Sequence, residues 1–184
     1  MKRYASFLLI PSALLVIFGI MFAPTLFDSE TMKRVATDRP VSSPVFDGNG
    51  HDIVLLFFGY AGCADVCAPR LADIADIYRD VAGQKDVQVL FINLIPMLGE
   101  EAASSFARYF HEDFVGVSPD PETLKSLKAT FDVYVAESLS QSGTYDHTAF
   151  LYLLKREEGG YRLRYIYTHT PLDETLIVRD ITAL

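Results

Sequence analysis

The chain has 184 residues, half of them hydrophobic, with 22% charged side chains and a formal net charge of −8. Such a composition fits one globular domain with ample material for a core. The acidic balance argues against a nucleic-acid partner and against an anionic membrane surface, and it suits cations or a basic protein face.

Taken in chain order, the first feature is the stretch 4–27, which follows Met1-Lys2-Arg3 and contains no charged residue. It exceeds the ~20 residues needed to cross a bilayer. Pro11 and Pro24 are tolerated in membrane helices. Lys2 and Arg3 on the amino side predict a cytoplasmic N-terminus and an exported remainder. A cleaved signal peptide is the rival reading, but the apolar run is longer than a ~7–15-residue signal core and no Ala-x-Ala site precedes Asp28. The expectation is a single-pass anchor (1–27) in the inner, cytoplasmic membrane, with the soluble part facing the periplasm or cell exterior. Residues 28–44 read as a linker, with mixed charge, Ser42-Ser43, and Pro40 and Pro44 breaking any helix. The domain is then expected over 45–184.

Within the domain, the continuous apolar run 53–58 predicts a strand buried on both faces. A helix follows from about 67 to 82, with Pro69 in its first turn and Leu71, Ile74, Ala75, Ile77, Tyr78 and Val81 as its apolar stripe. Further elements are a strand at 87–94, a helix at 100–110, a short strand at 114–117 and a helix at 122–131. A hairpin is expected from 148–155 and 161–168 around Glu157-Glu158-Gly159-Gly160, and a closing helix at 171–180. This order predicts an α/β layer fold with mixed strand directions. A cysteine pair after the first buried strand is where thioredoxin-like folds keep their thiols, an analogy of fold that does not by itself assign function.

Cys63 and Cys67 are the only cysteines, and they lie where the first buried strand gives way to a helix. Four residues apart on a helix is one turn, which points both sulfurs to the same side. The helix N-terminus favours their thiolates. Export makes a structural disulfide the ordinary expectation. Geometry opposes it: a disulfide wants Cβ atoms ~3.5–4.5 Å apart, whereas i,i+4 side chains start ~5–6 Å apart. The bridge would also close a very small loop. A metal clip and a redox pair are the two readings left.

Each of the four histidines is a possible further ligand. His51 lies in a polar turn, His111 beside Glu112-Asp113 at a helix end, and His169 in a loop before Pro171. His147 differs, because it opens the penultimate strand and the loop before it can carry it across the end of the sheet.

The stretch Phe58-Gly59-Tyr60-Ala61-Gly62-Cys63-Ala64-Asp65-Val66-Cys67, with the distant Asp146-His147-Thr148 before an apolar strand, resembles the Sco/SenC family of copper-binding assembly proteins. The likeness covers roughly 46–184. It implies a membrane-tethered thioredoxin-like domain that binds one copper ion, Cu(I) or Cu(II), through Cys63, Cys67 and His147. The copper would be delivered to, or help prepare, the copper-bearing subunit of cytochrome c oxidase, or reach another copper-receiving protein. Asp146 and Asp65 would then stand next to the ligands, Asp146 orienting His147. Both also have ordinary roles, as a turn residue and as a helix-start acid. Tyr60 reads as packing. The chain departs from the family pattern in having Ala64 and Ala68, not proline, after the cysteines, and the apolar Leu94-Ile95-Pro96-Met97-Leu98 where the family is acidic. The alternative function is thiol–disulfide exchange by the same cysteine pair on an exported client. A peroxidase would need an arginine near one reactive cysteine, and Arg70 is the nearby candidate.

Overall fold

The computed structural model describes residues 16–18, 33–139 and 143–184. The chain divides into two units, Met1–Met32 and Lys33–Leu184. Of the expected membrane span, only 16–18 is described, and it is helical; the rest lies outside the described residues. Among the described residues no helix is long and apolar enough to cross a membrane.

The second unit is built on a six-stranded sheet whose strands lie in the order β1 (Arg34–Val41), β8 (Gly160–Tyr167), β7 (Leu151–Glu157), β2 (Ile53–Gly59), β3 (Val87–Asn93) and β4 (Val115–Val117). Its central strand, β2 (Ile53–Gly59), is buried at every position. It pairs in parallel with β3 (Val87–Asn93), which pairs in parallel with β4 (Val115–Val117). On its other side β2 runs antiparallel to β7 (Leu151–Glu157), which forms the expected hairpin with β8 (Gly160–Tyr167). Alternate β2 side chains serve two cores, the reason its sequence is apolar throughout. Ile53, Leu55 and Phe57 face the helices α1 (Cys67–Val81), α2 (Gly99–Phe110) and α4 (Glu174–Ala183). Val54, Leu56 and Phe58 face α3 (Pro121–Phe131) together with Phe46. There the rings of Phe58, Phe131 and Tyr152 meet at centroid distances of 5.1–5.6 Å. Helix α3 starts where Asp120 accepts from the Glu122 and Thr123 amides and Pro121 takes the first position, a pairing of cap and proline that suits a helix start. Gly116 lets β4 lie directly on α2, since a Cβ there would come 2.1 Å from the Ala103 carbonyl oxygen.

Two parts of the structure differ from the sequence expectation. Residues 34–41, within the expected linker, form strand β1 (Arg34–Val41), antiparallel to β8. It looks like a linker because it is an edge strand: charges, a register shift between Ala36 and Arg39, and Pro40 are all features that edges tolerate. Its anchor is tertiary. Arg34 pairs with Asp180 of α4, which is 4% exposed and also accepts from the Tyr167 hydroxyl at 2.9 Å. The Arg34 guanidinium stacks over the Tyr165 ring at 4.6 Å, adding a cation–π contact. The second difference is a separate two-stranded ribbon, β5 (Val135–Glu137) with β6 (Tyr145–His147). His147 lies in this ribbon, and β7 begins only at Leu151.

Candidate metal centre

The fold brings Cys63, Cys67 and His147 together. Cys67 is the first residue of α1, while Cys63 lies in the turn before it, so the pair does not share a helical turn as the spacing predicts. The turn is closed by the Cys63 amide bonding the Tyr60 carbonyl at 3.2 Å and by the Ala68 amide bonding the Cys63 carbonyl at 3.2 Å. The Cys67 amide points at the Cys63 sulfur at 3.4 Å. His147 arrives because β7 is the antiparallel neighbour of β2. Phe57, two residues before the strand's end, pairs with Leu151. The exit of β2 toward the cysteines and the entry of β7 from His147 therefore meet at one edge of the domain.

His147 Nε2 is 3.2 Å from Cys67 Sγ and 4.0 Å from Cys63 Sγ. All three ligand atoms lie within 4.8 Å of one another. The other ring nitrogen, Nδ1, is 3.0 Å from the Thr148 carbonyl oxygen. A carbonyl can only accept, so Nδ1 carries the proton and the Nε2 lone pair is turned toward the sulfurs. Three donors with ligand atoms ~4 Å apart fit one ion at bond lengths of ~2.0–2.3 Å, and two thiolates with an imidazole are a soft set that selects Cu(I).

The hydrogen bond between the two sulfurs, more than burial, sets their protonation. The Cys63 thiol is lowered to about 3, chiefly by its hydrogen bond with the Cys67 side chain; burial opposes this, while His147 and the backbone amides of Cys67 and Val66 add to the lowering. Cys67 is pushed up, first by donating to Cys63 and then by burial. Cys63 is therefore the sulfur that gives up its proton readily and Cys67 the one that keeps it. Two thiolates are needed to hold a soft metal. We expect loading with Cu(I) at about pH 7.5 to release close to one proton from the thiols, and not two. Calorimetric titration in buffers of different ionisation enthalpy measures this directly.

The site has a cradle made by the absence of a side chain. A Cβ on Gly59 would fall 2.6 Å from Cys67 Sγ and 2.9 Å from the Phe91 ring. Gly59→Ala is expected to cost about 1–3 kcal/mol of stability by overpacking and to weaken metal binding by displacing the Cys67 sulfur. Denaturant unfolding and a Cu(I) competition titration read the two effects separately.

Tyr60, expected only to pack, ties the two halves of the site together. Its hydroxyl accepts from the Tyr145 amide at 3.4 Å. Its ring stands edge-on to Tyr145 at 5.6 Å and to His147 at 5.9 Å. Its place beside the cysteine turn was legible; its contact with the ribbon was not. Asp65 and Asp146 are exposed and fall outside the group of three ligand atoms. His51 pairs with Asp86 at 2.6 Å before β2, at the other end of the sheet. His111 packs between Tyr78 and Phe114. His169 sets its Nδ1 2.9 Å from the Pro171 carbonyl. Arg70, the candidate for peroxidase chemistry, spends its guanidinium on the His169 carbonyl and the Thr170 hydroxyl at 2.8 and 2.6 Å. The apolar turn after β3 starts beside the cysteine loop, where the Leu94 amide bonds the Gly59 carbonyl at 2.7 Å, and leaves Met97 fully exposed.

A mixed sheet flanked by helices, with two cysteines and a histidine converging beyond the first buried strand, defines a thioredoxin-like metal-binding domain. Comparison with known proteins narrows the class. The sequence matches the SCO1/SenC family over residues 35–183, and the chain belongs to that family. The apo Sco1 protein of Thermus thermophilus superposes with a TM-score of 0.65 at 31% identity, covering 82% of this chain and 94% of that one. Copper-bound ScoI of Arabidopsis thaliana shares the fold, with a TM-score of 0.63 at 22% identity over 72% of this chain and 83% of that chain. The mitochondrial SCO2 homolog of Danio rerio is 32% identical over 110 residues, 55% of this chain and 39% of that protein. The chain spans between 32% and 59% of the lengths of such curated relatives.

Proposed function

We propose that this protein is a copper metallochaperone that holds one copper ion between Cys63, Cys67 and His147 and passes it to a copper-receiving protein. The observation that carries the reading is the convergence of two sulfurs and one imidazole nitrogen within 4.8 Å. Three ligands hold a soft ion and leave a side open for exchange. The resident residues do the rest: Gly59 makes room for one sulfur, Thr148 sets the imidazole tautomer, and Tyr60 keeps the ribbon against the cysteine turn.

The receiving protein in this reading is the copper-bearing subunit of cytochrome c oxidase. In support, BsSco, a structural neighbour with a TM-score of 0.54, is described as a member of the Sco family of cytochrome c oxidase assembly proteins. Tethering by residues 4–27 to the inner membrane, with the domain in the periplasm or outside the cell, belongs to the same proposal. It is supported by the uncharged length of that stretch and the basic residues before it.

The test is metal analysis of the anaerobically reduced chain titrated with Cu(I). One tightly held copper per chain is expected in the reduced form and none in the disulfide form, because oxidised sulfurs cannot ligate as thiolates. A reduced chain that retains no copper would end the proposal. Thiol–disulfide exchange is a second reading, favoured by the lowered Cys63 beside a raised Cys67. Exchange through a mixed disulfide needs an attacking thiolate and no imidazole ligand. Under that reading His147→Ala keeps strong exchange activity together with negligible copper affinity.

A further inference from the structure

A cavity of about 380 Å³ opens directly onto one of the three ligands. Its walls come from both halves of the site: Cys63, Ala64, Asp65 and Val66 from the cysteine turn, and Thr144 and Asp146 from the ribbon. Cys63 stands in this wall and Cys67 does not. Cys67 is 0% exposed and backed by Gly59, where even a methyl group would strike its sulfur. The two sulfurs are therefore unequal: Cys63, 5% exposed, borders a space large enough for a side chain, whereas Cys67, 0% exposed, is enclosed in packed protein. The charged residues in the described lining are both acidic, Asp65 and Asp146, and no lysine or arginine lines it. Val66 adds an exposed apolar contact at the mouth, 46% accessible.

We propose that this cavity is the port of copper hand-over, entered by a thiolate side chain carried on a cationic face of the receiving protein, with exchange beginning at Cys63. The inference rests on the metallochaperone reading and adds to it a route, an order of exchange and the chemistry of the partner. The step is a ligand substitution. The incoming thiolate sulfur–copper bond forms while the Cys63–copper bond breaks, Cys63 leaves as a thiolate, and the oxidation state of copper does not change. Cys67 and His147 hold the ion until the acceptor has it. A basic partner surface is steered to an acidic mouth, an effect on association rate that salt weakens. Small anionic thiols lack that advantage.

The experiment uses the full chain loaded with Cu(I) and three probes: a single-cysteine peptide flanked by lysines, the same peptide flanked by glutamates, and glutathione. Stopped-flow transfer at low salt should run about tenfold faster to the lysine peptide than to either other probe, with the gap closing at high salt. Thr144→Lys should narrow that gap, and Ala64→Trp, which fills the port, should slow all three probes about tenfold or more. Chelator competition should show Cu(I) affinity unchanged in Thr144→Lys. A second measurement needs no metal: the serine version of the lysine peptide should shift the backbone amide resonances of Ala64, Val66 and Asp146 in the apo chain. Equal rates for the lysine and glutamate peptides, or a gap untouched by Thr144→Lys, would overturn the port. Failure of the chaperone reading shows earlier and differently, as a parent chain that does not load copper.

Discussion

Cys67→Ser is expected to lower Cu(I) affinity by at least a hundredfold while leaving the fold intact. Structural metal sites with four ligands bind with ~10–16 kcal/mol, so one ligand carries about 3 kcal/mol, and every ~1.4 kcal/mol is tenfold in affinity. The buried position enlarges the effect. A serine hydroxyl is a hard, neutral donor at neutral pH and cannot replace a soft thiolate. Cys63→Ser should fall as far. His147→Ala should fall less for Cu(I), since the two sulfurs remain to grip a soft ion, and it should release the order imposed on the ribbon by the Thr148 and Tyr60 contacts. Competition with a chelator of known affinity measures all three. A Cys67→Ser chain that held Cu(I) as tightly as the parent would mean the sulfur is a structural thiol and the ion sits elsewhere. Circular dichroism of each apo variant separates lost ligation from lost folding.

Asp180→Ala carries the largest expected effect on stability. Its carboxylate is 4% exposed and serves Arg34 and the Tyr167 hydroxyl together. Truncation leaves a mostly buried guanidinium without its counter-charge and a buried phenol without its acceptor. Breaking a fully buried pair costs ~3–5 kcal/mol. Arg34 keeps some contact with water, its side chain 21% exposed, so about 3 kcal/mol is the expected loss. For a domain of this size that is roughly 6–12 °C in Tm. Amide exchange should show β1 losing protection before the rest of the sheet, since this network joins the edge strand to α4. A loss below about 1 kcal/mol would place the hold on β1 in its backbone ladder with β8 and not in the charge network. Copper affinity should stay near the parent value in this variant, because the network lies apart from the three ligands.

What was legible in the sequence follows from how each element is stabilised. Strand β2 was plain because both its faces are buried, which requires six apolar residues in a row. The helices were plain because each buries one stripe, and periodicity of ~3.6 records that stripe directly. The cysteine turn could be read because ligand chemistry is a property of residue type, and the pair sits in a short motif beside Asp65 and Tyr60. Strand β1 was not legible. An edge strand avoids pairing with other molecules by carrying charges, a bulge and proline, the same residues that mark a linker. Its strand character depends on a partner 120 to 133 positions away, where Val41 meets Tyr161 and Arg34 meets Tyr167. The ribbon β5–β6 was missed for a related reason: three-residue strands, half exposed, carry no period to read.

The residue types and local spacing determined by themselves that two thiols lie at the start of a helix and that His147 lies before an apolar strand. Only the tertiary structure decided that these meet. Sequence separates Cys67 from His147 by 80 positions, and nothing in local periodicity says which strand will lie next to β2. That choice belongs to the sheet: β7 pairs antiparallel with β2, so the end of one and the beginning of the other share an edge, and the imidazole lands 3.2 Å from a sulfur. Which sulfur borders open space was likewise settled by packing, because Gly59 and Phe91 close around Cys67 while the turn leaves Cys63 at the wall of a cavity.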